Sequence, residues 1–455
     1  MTKPIQQNNW LYNLLCPLVQ FATRCHYNRF VVRGIENLPT DGPYIIAPCH
    51  QQTLMEPLAV LCISPKPPVF LARADIFARP TIRAILTFLR ILPVYRIRDG
   101  QENLGRNQDI FDQCRDVLLD DYPLCLMAEG RHNNRHHLLP LRKGMFRIAG
   151  ETQLALGDRP LYIVPTGIDF DHYERPYSNL VVNIGSPIPV QPFMDTYRDN
   201  PPLALNQMRD ALTDALIPLM LHIRNQEYYD EIFAICNLLN SKMRRKEGLK
   251  NNAWNRFLIR QRIADKMDSL MENQQVDESL RQRVQSTLPL DPALLSDHWS
   301  LPTTLFALLS IASLITLVVL FPPLRLTLLF CLLCYPLPFL PTHLIPRKIT
   351  KDPQFRSAIN FGIRFVLSIL YALVISVVMA CCHGAWMNDL IPIGPWWGLV
   401  ALAIVIVFAR LAAPIVNILR STLHNTCYWL RRSSGRLRDI NPLVQQIFQL
   451  LTHHS

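Results

Sequence analysis

Short apolar runs alternate with stretches of three- and four-residue spacing through residues 26–200, and the pattern changes character twice further along. FVVRGIENLP and PYIIAP read as two strands joined by turn signals at Asp41, Gly42 and Pro43. A helix is expected to begin at Pro57, because its ring biases the preceding Glu56 away from helix while proline itself suits a first helical turn. PPVFLAR follows as a strand, ILPVYRIRDG as an edge strand and residues 107–120 as a helix. PLCLMAEG is a strand running into a loop, LYIVPTGIDF is another strand, and LVVNIGSPIPV closes the series. This alternation predicts an α/β domain over residues 26–200, with a mostly parallel sheet flanked by helices. Ahead of it, within residues 1–25, Leu11, Leu14, Leu15, Leu18 and Ala22 fall at helical spacing, with Pro17 set to bend them. Such a helix fits a core element and an interfacial membrane element equally.

Residues 201–298 mix charges with apolar positions at helical spacing and predict a helical segment. Within it, Lys242, Arg244, Arg245 and Lys246 form a basic cluster that fits acidic headgroups or a solvated face. Residues 299–420 then carry four long apolar stretches, at 301–320, 326–345, 365–382 and 396–419, so about four C-terminal transmembrane helices are expected. Arg410 in the last is placed to snorkel toward one surface. The connector PRKITKDPQFR holds four Lys or Arg, HGAWMNDLIPIGP holds none, and the tail over residues 421–455 is basic again. By the positive-inside rule, both termini and the α/β domain would face the cytoplasm, in a multi-pass protein of the bacterial inner membrane.

Composition adds the partner class. Among 455 residues, 46 Lys and Arg against 35 Asp and Glu leave a formal charge of +11, which favours an anionic partner. Nucleic acid is disfavoured, since the basic residues are joined to no aromatic platform or helix-turn-helix pattern. The twelve cysteines are scattered, and Cys331, Cys381 and Cys382 sit in apolar runs, as small buried hydrophobes of a reducing compartment do. Cys331 and Cys334, the one C-x-x-C pair, lack further ligands. No secretory leader is expected from MTKPIQQNNW, which has no basic region feeding an apolar one.

The chemistry gathers at strand ends. In YIIAPCHQQTLMEP, His50 and Glu56 share a loop after an apolar strand, where open α/β folds bind ligands. A carboxylate that fixes the tautomer turns such a histidine into a general base. Arg96 follows a strand and suits bidentate phosphate binding. AEGRHNNRHHLLPLRKG brings Glu129, Gly130, Arg131, Arg142 and Lys143 together ahead of a helix start suited to an anion. His132, His136 and His137 lack partners at a familiar zinc spacing, so no metal is expected. Pro165, in IVPTG, is read at another strand end.

In order along the chain, CHQQTLMEP, ILPVYR, MAEGRH and IVPTG resemble the four blocks of the glycerolipid acyltransferase family, which includes 1-acylglycerol-3-phosphate and glycerol-3-phosphate acyltransferases. The resemblance covers residues 30–190. It implies His50 as the base, Glu56 as its acid partner, Arg96, Glu129 and Gly130 as substrate-site residues, and Pro165 as a structural or acyl-site residue. Arg131 and Lys143 would join them in binding phosphate. The reaction implied moves a fatty acyl group from acyl-CoA or acyl-carrier protein to a hydroxyl of lysophosphatidate or glycerol 3-phosphate. It needs no metal or cofactor beyond that co-substrate, and its partner is membrane lipid. The chain departs from the family in two places: five residues and Glu replace the usual four and Asp after the histidine, and Arg131 replaces Thr or Ser after the EG pair. Another lysolipid, an amino-containing lipid, or an inactive membrane-anchored scaffold are the alternatives.

Overall fold

The computed structural model describes residues 4–95, 105–273, 301–321, 344–382, 392–433 and 440–453, apart from 8, 132, 134, 174, 175 and 352, together with 279 and 282–284. The chain forms two compact units. The first comprises Met1–Arg24, Phe30–Tyr173 and Leu180–His222. The second comprises Cys25–Arg29, Glu174–Asn179 and Ile223–Ser455. The boundary expected at residue 200 therefore falls inside the first unit.

The first unit is built on an eight-stranded sheet: β1 (Arg29–Arg33), β2 (Tyr44–Pro48), β3 (Val69–Arg73), β4 (Ile91–Val94), β5 (Leu124–Cys125), β6 (Tyr162–Phe170), β7 (Asn179–Ile184) and β8 (Ile188–Pro189). Their order is β1-β7-β6-β2-β5-β3-β4, with β8 on β6. β1 and β2 are consecutive in sequence but do not pair, since β7 and β6 lie between them. β6, β2, β5, β3 and β4 run parallel, while β7 and β8 are antiparallel to β6. Ile45, Ile46 and Ala47 of β2 are wholly buried, as a strand covered on both faces requires. β4 is the edge strand expected from ILPVYRIRDG.

Among the described residues seven α-helices accompany the sheet: α1 (Trp10–His26), α2 (Met55–Ile63), α3 (Pro80–Phe88), α4 (Arg106–Leu119), α5 (Gly144–Leu156), α6 (Met194–Asp199) and α7 (Pro201–Leu216). α2 starts at Met55, two residues before the expected Pro57. The reason is local: the first N–H groups of a helix have no intrahelical partner, so Pro57 costs no hydrogen bond there, and Glu56 is taken into the first turn. α1 runs through Pro17. Its Tyr12, Cys16 and Thr23 are buried while Trp10, Leu14, Leu18 and Phe21 are exposed. From α1, Gln20 Nε2 and Arg24 donate to the carbonyls of Leu61 and Cys62 at 2.8 and 2.7 Å, satisfying the open C-terminal end of α2.

The second unit is helical: α8 (Tyr229–Lys246), α9 (Ala253–Glu272), α10 (Leu301–Leu320), α11 (Leu344–Ile349), α12 (Pro353–Cys381), α13 (Trp397–Ser433) and α14 (Ile440–His453). Among the described residues three stretches, Leu301–Leu320, Phe355–Cys381 and Gly394–Leu430, are long and apolar enough to cross a membrane. They carry the first, third and fourth of the expected spans. The second, at 326–345, lies almost wholly outside the described residues, as do Cys331 and Cys334. α12 and α13 pack closely through small residues, Ala401, Ala412 and Ala413 among them. At Gly398 a Cβ would come within 2.6 Å of the Ser376 carbonyl, so only glycine allows that approach. The basic cluster on α8 does not form one face. Arg244 is buried and donates to the Leu249 carbonyl at 3.2 Å, while the Lys242 ammonium sits 4.0 Å from the Phe448 ring centroid. Cys381, the last residue of α12, and Cys382 just past it are exposed, not buried as expected, as are Leu370, Val374 and Val377 earlier in the helix, where no described residue packs over them, and no disulfide joins the described cysteines.

Candidate functional site

Five parallel strands send their carboxyl ends to one edge of the sheet, and the loops leaving β2, β5 and β6 meet there. β2 delivers Cys49 and His50. The Cys49 thiol turns inward, 3.2 Å from the Ile168 N–H, and burial holds it well above the usual thiol range. A buried thiol held in that state is a poor nucleophile, and His50 follows it directly at the strand end.

His50 Nδ1 lies 2.7 Å from Glu56 Oε2, with the glutamate side chain fully buried and the histidine 13% exposed. The other oxygen, Oε1, accepts the backbone N–H groups of Gln51 and Gln52 at 2.6 and 2.9 Å. Glu56 can reach all three donors because it projects from the first turn of α2 back over its own loop. A carboxylate so held fixes the proton on Nδ1 and leaves Nε2, across the ring, as the basic nitrogen. The His50 main chain is also fixed: its N–H donates to Glu129 Oε1 at 2.7 Å and its carbonyl accepts from the Asn133 N–H at 3.1 Å.

Residues 29–169 match the family model described as Acyltransferase. Over this stretch the chain is similar to that family. The match agrees with the acyltransferase resemblance of the four ordered blocks. A solved structure, the 1-acyl-sn-glycerophosphate (LPA) acyltransferase PlsC from Thermotoga maritima, is similar to the chain at 17% identity and a TM-score of 0.32, over 45% of this chain and 77% of that one. No curated protein sequence matches the chain.

The fold separates the expected site residues into groups. His50, Glu56 and Glu129 come together. Glu129, expected as a substrate-site residue, is buried, its two oxygens accepting from His50 N–H and from Leu139 N–H at 3.0 Å. Gly130 adopts a left-handed φ of 67°, and a Cβ there would meet Arg142 Cγ at 3.1 Å, so the turn after β5 depends on glycine. The Arg142 N–H returns to the Ala128 carbonyl at 2.7 Å, and Lys143 immediately precedes α5. Arg131 and Lys143 are exposed. Pro165 is not at a strand end: β6 continues to Phe170, and Pro165 lies within it opposite Ala47. Its carbonyl accepts from the Gly185 N–H just beyond β7, so the missing N–H of the proline faces the finished end of that strand and breaks no ladder bond. Arg96 lies outside the described residues. Tyr95 before it is bracketed by Asn107, which accepts from its N–H at 3.0 Å and donates to its carbonyl at 2.8 Å.

Sequence reasoning missed the polar side chains behind the loop. Tyr173, three residues past β6, donates its hydroxyl to Gln51 Oε1 at 2.7 Å, and its carbonyl accepts from Gln52 Nε2 at 2.9 Å. Its ring stacks on buried His136 at 26°, and the His136 Nδ1 lies 3.7 Å from buried Asp169. His137 stacks instead on His222. Among the described residues no three His, Cys, Asp or Glu side chains group as metal ligands. Nothing in the spacing of these residues connects them, because Tyr173 is 122 positions from Gln51.

Proposed function

We propose that the chain transfers a fatty acyl group from an acyl thioester, acyl-CoA or acyl-carrier protein, to a hydroxyl of lysophosphatidate or glycerol 3-phosphate. The observation that carries this reading is the 2.7 Å contact between His50 and a buried Glu56 at the carboxyl edge of an acyltransferase-family sheet. His50 Nε2 takes the hydroxyl proton as the oxygen attacks the thioester carbonyl. The C–O bond forms and the C–S bond breaks, and the imidazolium returns its proton to the departing thiolate, leaving an ester and a thiol. Arg96, Arg131 and Lys143 supply cationic groups for the acceptor phosphate, so that the hydroxyl is held beside the base. The three apolar helices and the apolar exposed face of α1 support a site kept beside membrane lipid, with the domain on the cytoplasmic side.

The test is the purified chain in bilayers, given a labelled acyl thioester with lysophosphatidate and with glycerol 3-phosphate in separate reactions. Label is expected in the acylated product of one acceptor. Incorporation into neither, with label entering another lysolipid or an amino-containing lipid, would replace the acceptor class. No incorporation at all would overturn the reading.

Arg131→Ala and Lys143→Ala are each expected to raise KM for the phosphate-bearing acceptor about tenfold, as removal of a charge-assisted contact does, with KM for the thioester unchanged. Steady-state titration of each substrate checks this, and equal changes for both substrates would count against phosphate binding. Arg96→Ala belongs in the same series.

Accessibility of single cysteines placed at residues 346–351 and at residues 383–395 should report opposite faces of the membrane, because the apolar stretch Phe355–Cys381 lies between them. Labelling of both from one side would remove that span.

A further inference from the structure

The loop between His50 and Glu56 has one residue more than the resembling block, and a longer loop has more conformations to exclude before the pair can form. Two of its residues, Gln51 and Gln52, provide the backbone N–H groups that hold Glu56 Oε1. Both of their side chains are buried, and both end on one residue. Gln51 Oε1 accepts from the Tyr173 hydroxyl and Gln52 Nε2 donates to the Tyr173 carbonyl. Tyr173 is in turn backed by the His136 ring, whose two nitrogens lie 3.3 and 3.2 Å from its hydroxyl oxygen, and Asp169 stands behind His136. These groups come from the ends of β2 and β6 and from the loop after β5, so the arrangement draws three separate segments onto the loop.

We infer that Tyr173 is a positioning residue for the His50–Glu56 pair, clamping the lengthened loop at Gln51 and Gln52 so that their N–H groups stay aimed at the carboxylate. The inference rests on the acyl-transfer reading only for its kinetic readout. The clamp acts in series: Tyr173 fixes the glutamine side chains, these fix the loop backbone, the backbone fixes Glu56, and Glu56 fixes the tautomer of His50. Tyr173 acts on the base through this series of contacts. Its effect therefore belongs to the chemical step and leaves thioester binding alone. His136 serves as the wall against which the tyrosine ring is stacked, which accounts for a buried histidine in a loop otherwise rich in exposed polar residues.

The experiment is a double-mutant cycle on the full chain in bilayers. Tyr173→Phe keeps the ring stacking and the carbonyl that holds Gln52 while deleting the hydroxyl, and Gln51→Ala removes the acceptor of that hydroxyl. Each single variant is expected to lower kcat about tenfold, a modest misplacement of the base, with KM for the thioester within about twofold of the parent. The double variant should be no slower than the slower single variant, since both changes break one contact. Losses that multiply in the double variant, or singles with unchanged kcat, would overturn the clamp. A second measurement does not depend on turnover. Modification of His50 by diethyl pyrocarbonate, followed by peptide mass spectrometry, should speed up severalfold in Tyr173→Phe as the loop loosens, with His222 modified at the parental rate. If the parent transfers no acyl group, the proposed function fails and this rate alone judges the clamp: an unaltered His50 rate overturns it.

Discussion

Glu56→Gln is expected to lower kcat by about a thousandfold or more, close to the loss from His50→Ala, although the substitution changes neither size nor shape. The hydrogen-bond directions require it. The amide oxygen introduced by this substitution would have to accept from the Gln51 and Gln52 N–H groups, which Glu56 Oε1 accepts at 2.6 and 2.9 Å. The amide nitrogen then faces His50 Nδ1, where Glu56 Oε2 stands at 2.7 Å. Two donors cannot share that line, so Nδ1 must become the acceptor and the ring proton moves to Nε2. The nitrogen proposed to take the hydroxyl proton is then already protonated. Turning the amide over restores the tautomer but sets its NH2 against two backbone N–H groups, at about 1–3 kcal/mol for each buried donor left unmade. Glu56→Asp keeps the charge and loses reach, because α2 fixes its backbone, so a smaller loss in kcat is expected. Turnover with saturating thioester, beside a thermal unfolding curve for each variant, separates chemistry from folding. His50→Ala with parental activity, or Glu56→Asp as fast as the parent, would reject the respective part of the argument.

Glu129 carries the second large effect. Its two oxygens hold the N–H groups of His50 and Leu139, so Glu129→Gln can satisfy one and must set its NH2 against the other. A shift of the His50 backbone by about an ångström is enough for a loss of about a hundredfold in kcat, and Glu129→Ala should lose at least as much. The pH dependence of stability gives a separate signature. Burial pushes the Glu129 carboxyl from 4.5 up to about 7, against the pull of the two N–H groups and of His50. The folded chain thus holds this proton more tightly than the unfolded chain does. The contribution to stability is full below pH 4.5, is lost as pH rises from 4.5 to about 7, and is constant above. Glu129→Gln has no proton to lose and should flatten that part of the curve of unfolding temperature against pH. A variant whose curve keeps the parental slope between these values would show that Glu129 does not titrate there.

The order of strands and helices, the apolar spans and the His50–Glu56 pair were legible in the sequence because each is written in local spacing. A strand covered on both faces must be apolar throughout, as YIIAP is, and a span must be long and uncharged, as Leu301–Leu320 is. The pair lay within one loop, so chain connectivity alone kept its members close. Tertiary structure decided what depends on which segments become neighbours. Glu129 could be recognised as a site residue but not as the holder of the His50 N–H, since that role requires β5 to lie beside β2 in the sheet. Pro165 sits inside β6 and not at its end because β7 stops where the missing N–H would have been needed. Tyr173 reaches Gln51 and Gln52 only because β6 pairs with β2 and carries the chain past the same edge. Side-chain hydrogen bonds between distant segments have no period along a chain, and so the second layer of the site exists only in the folded sheet.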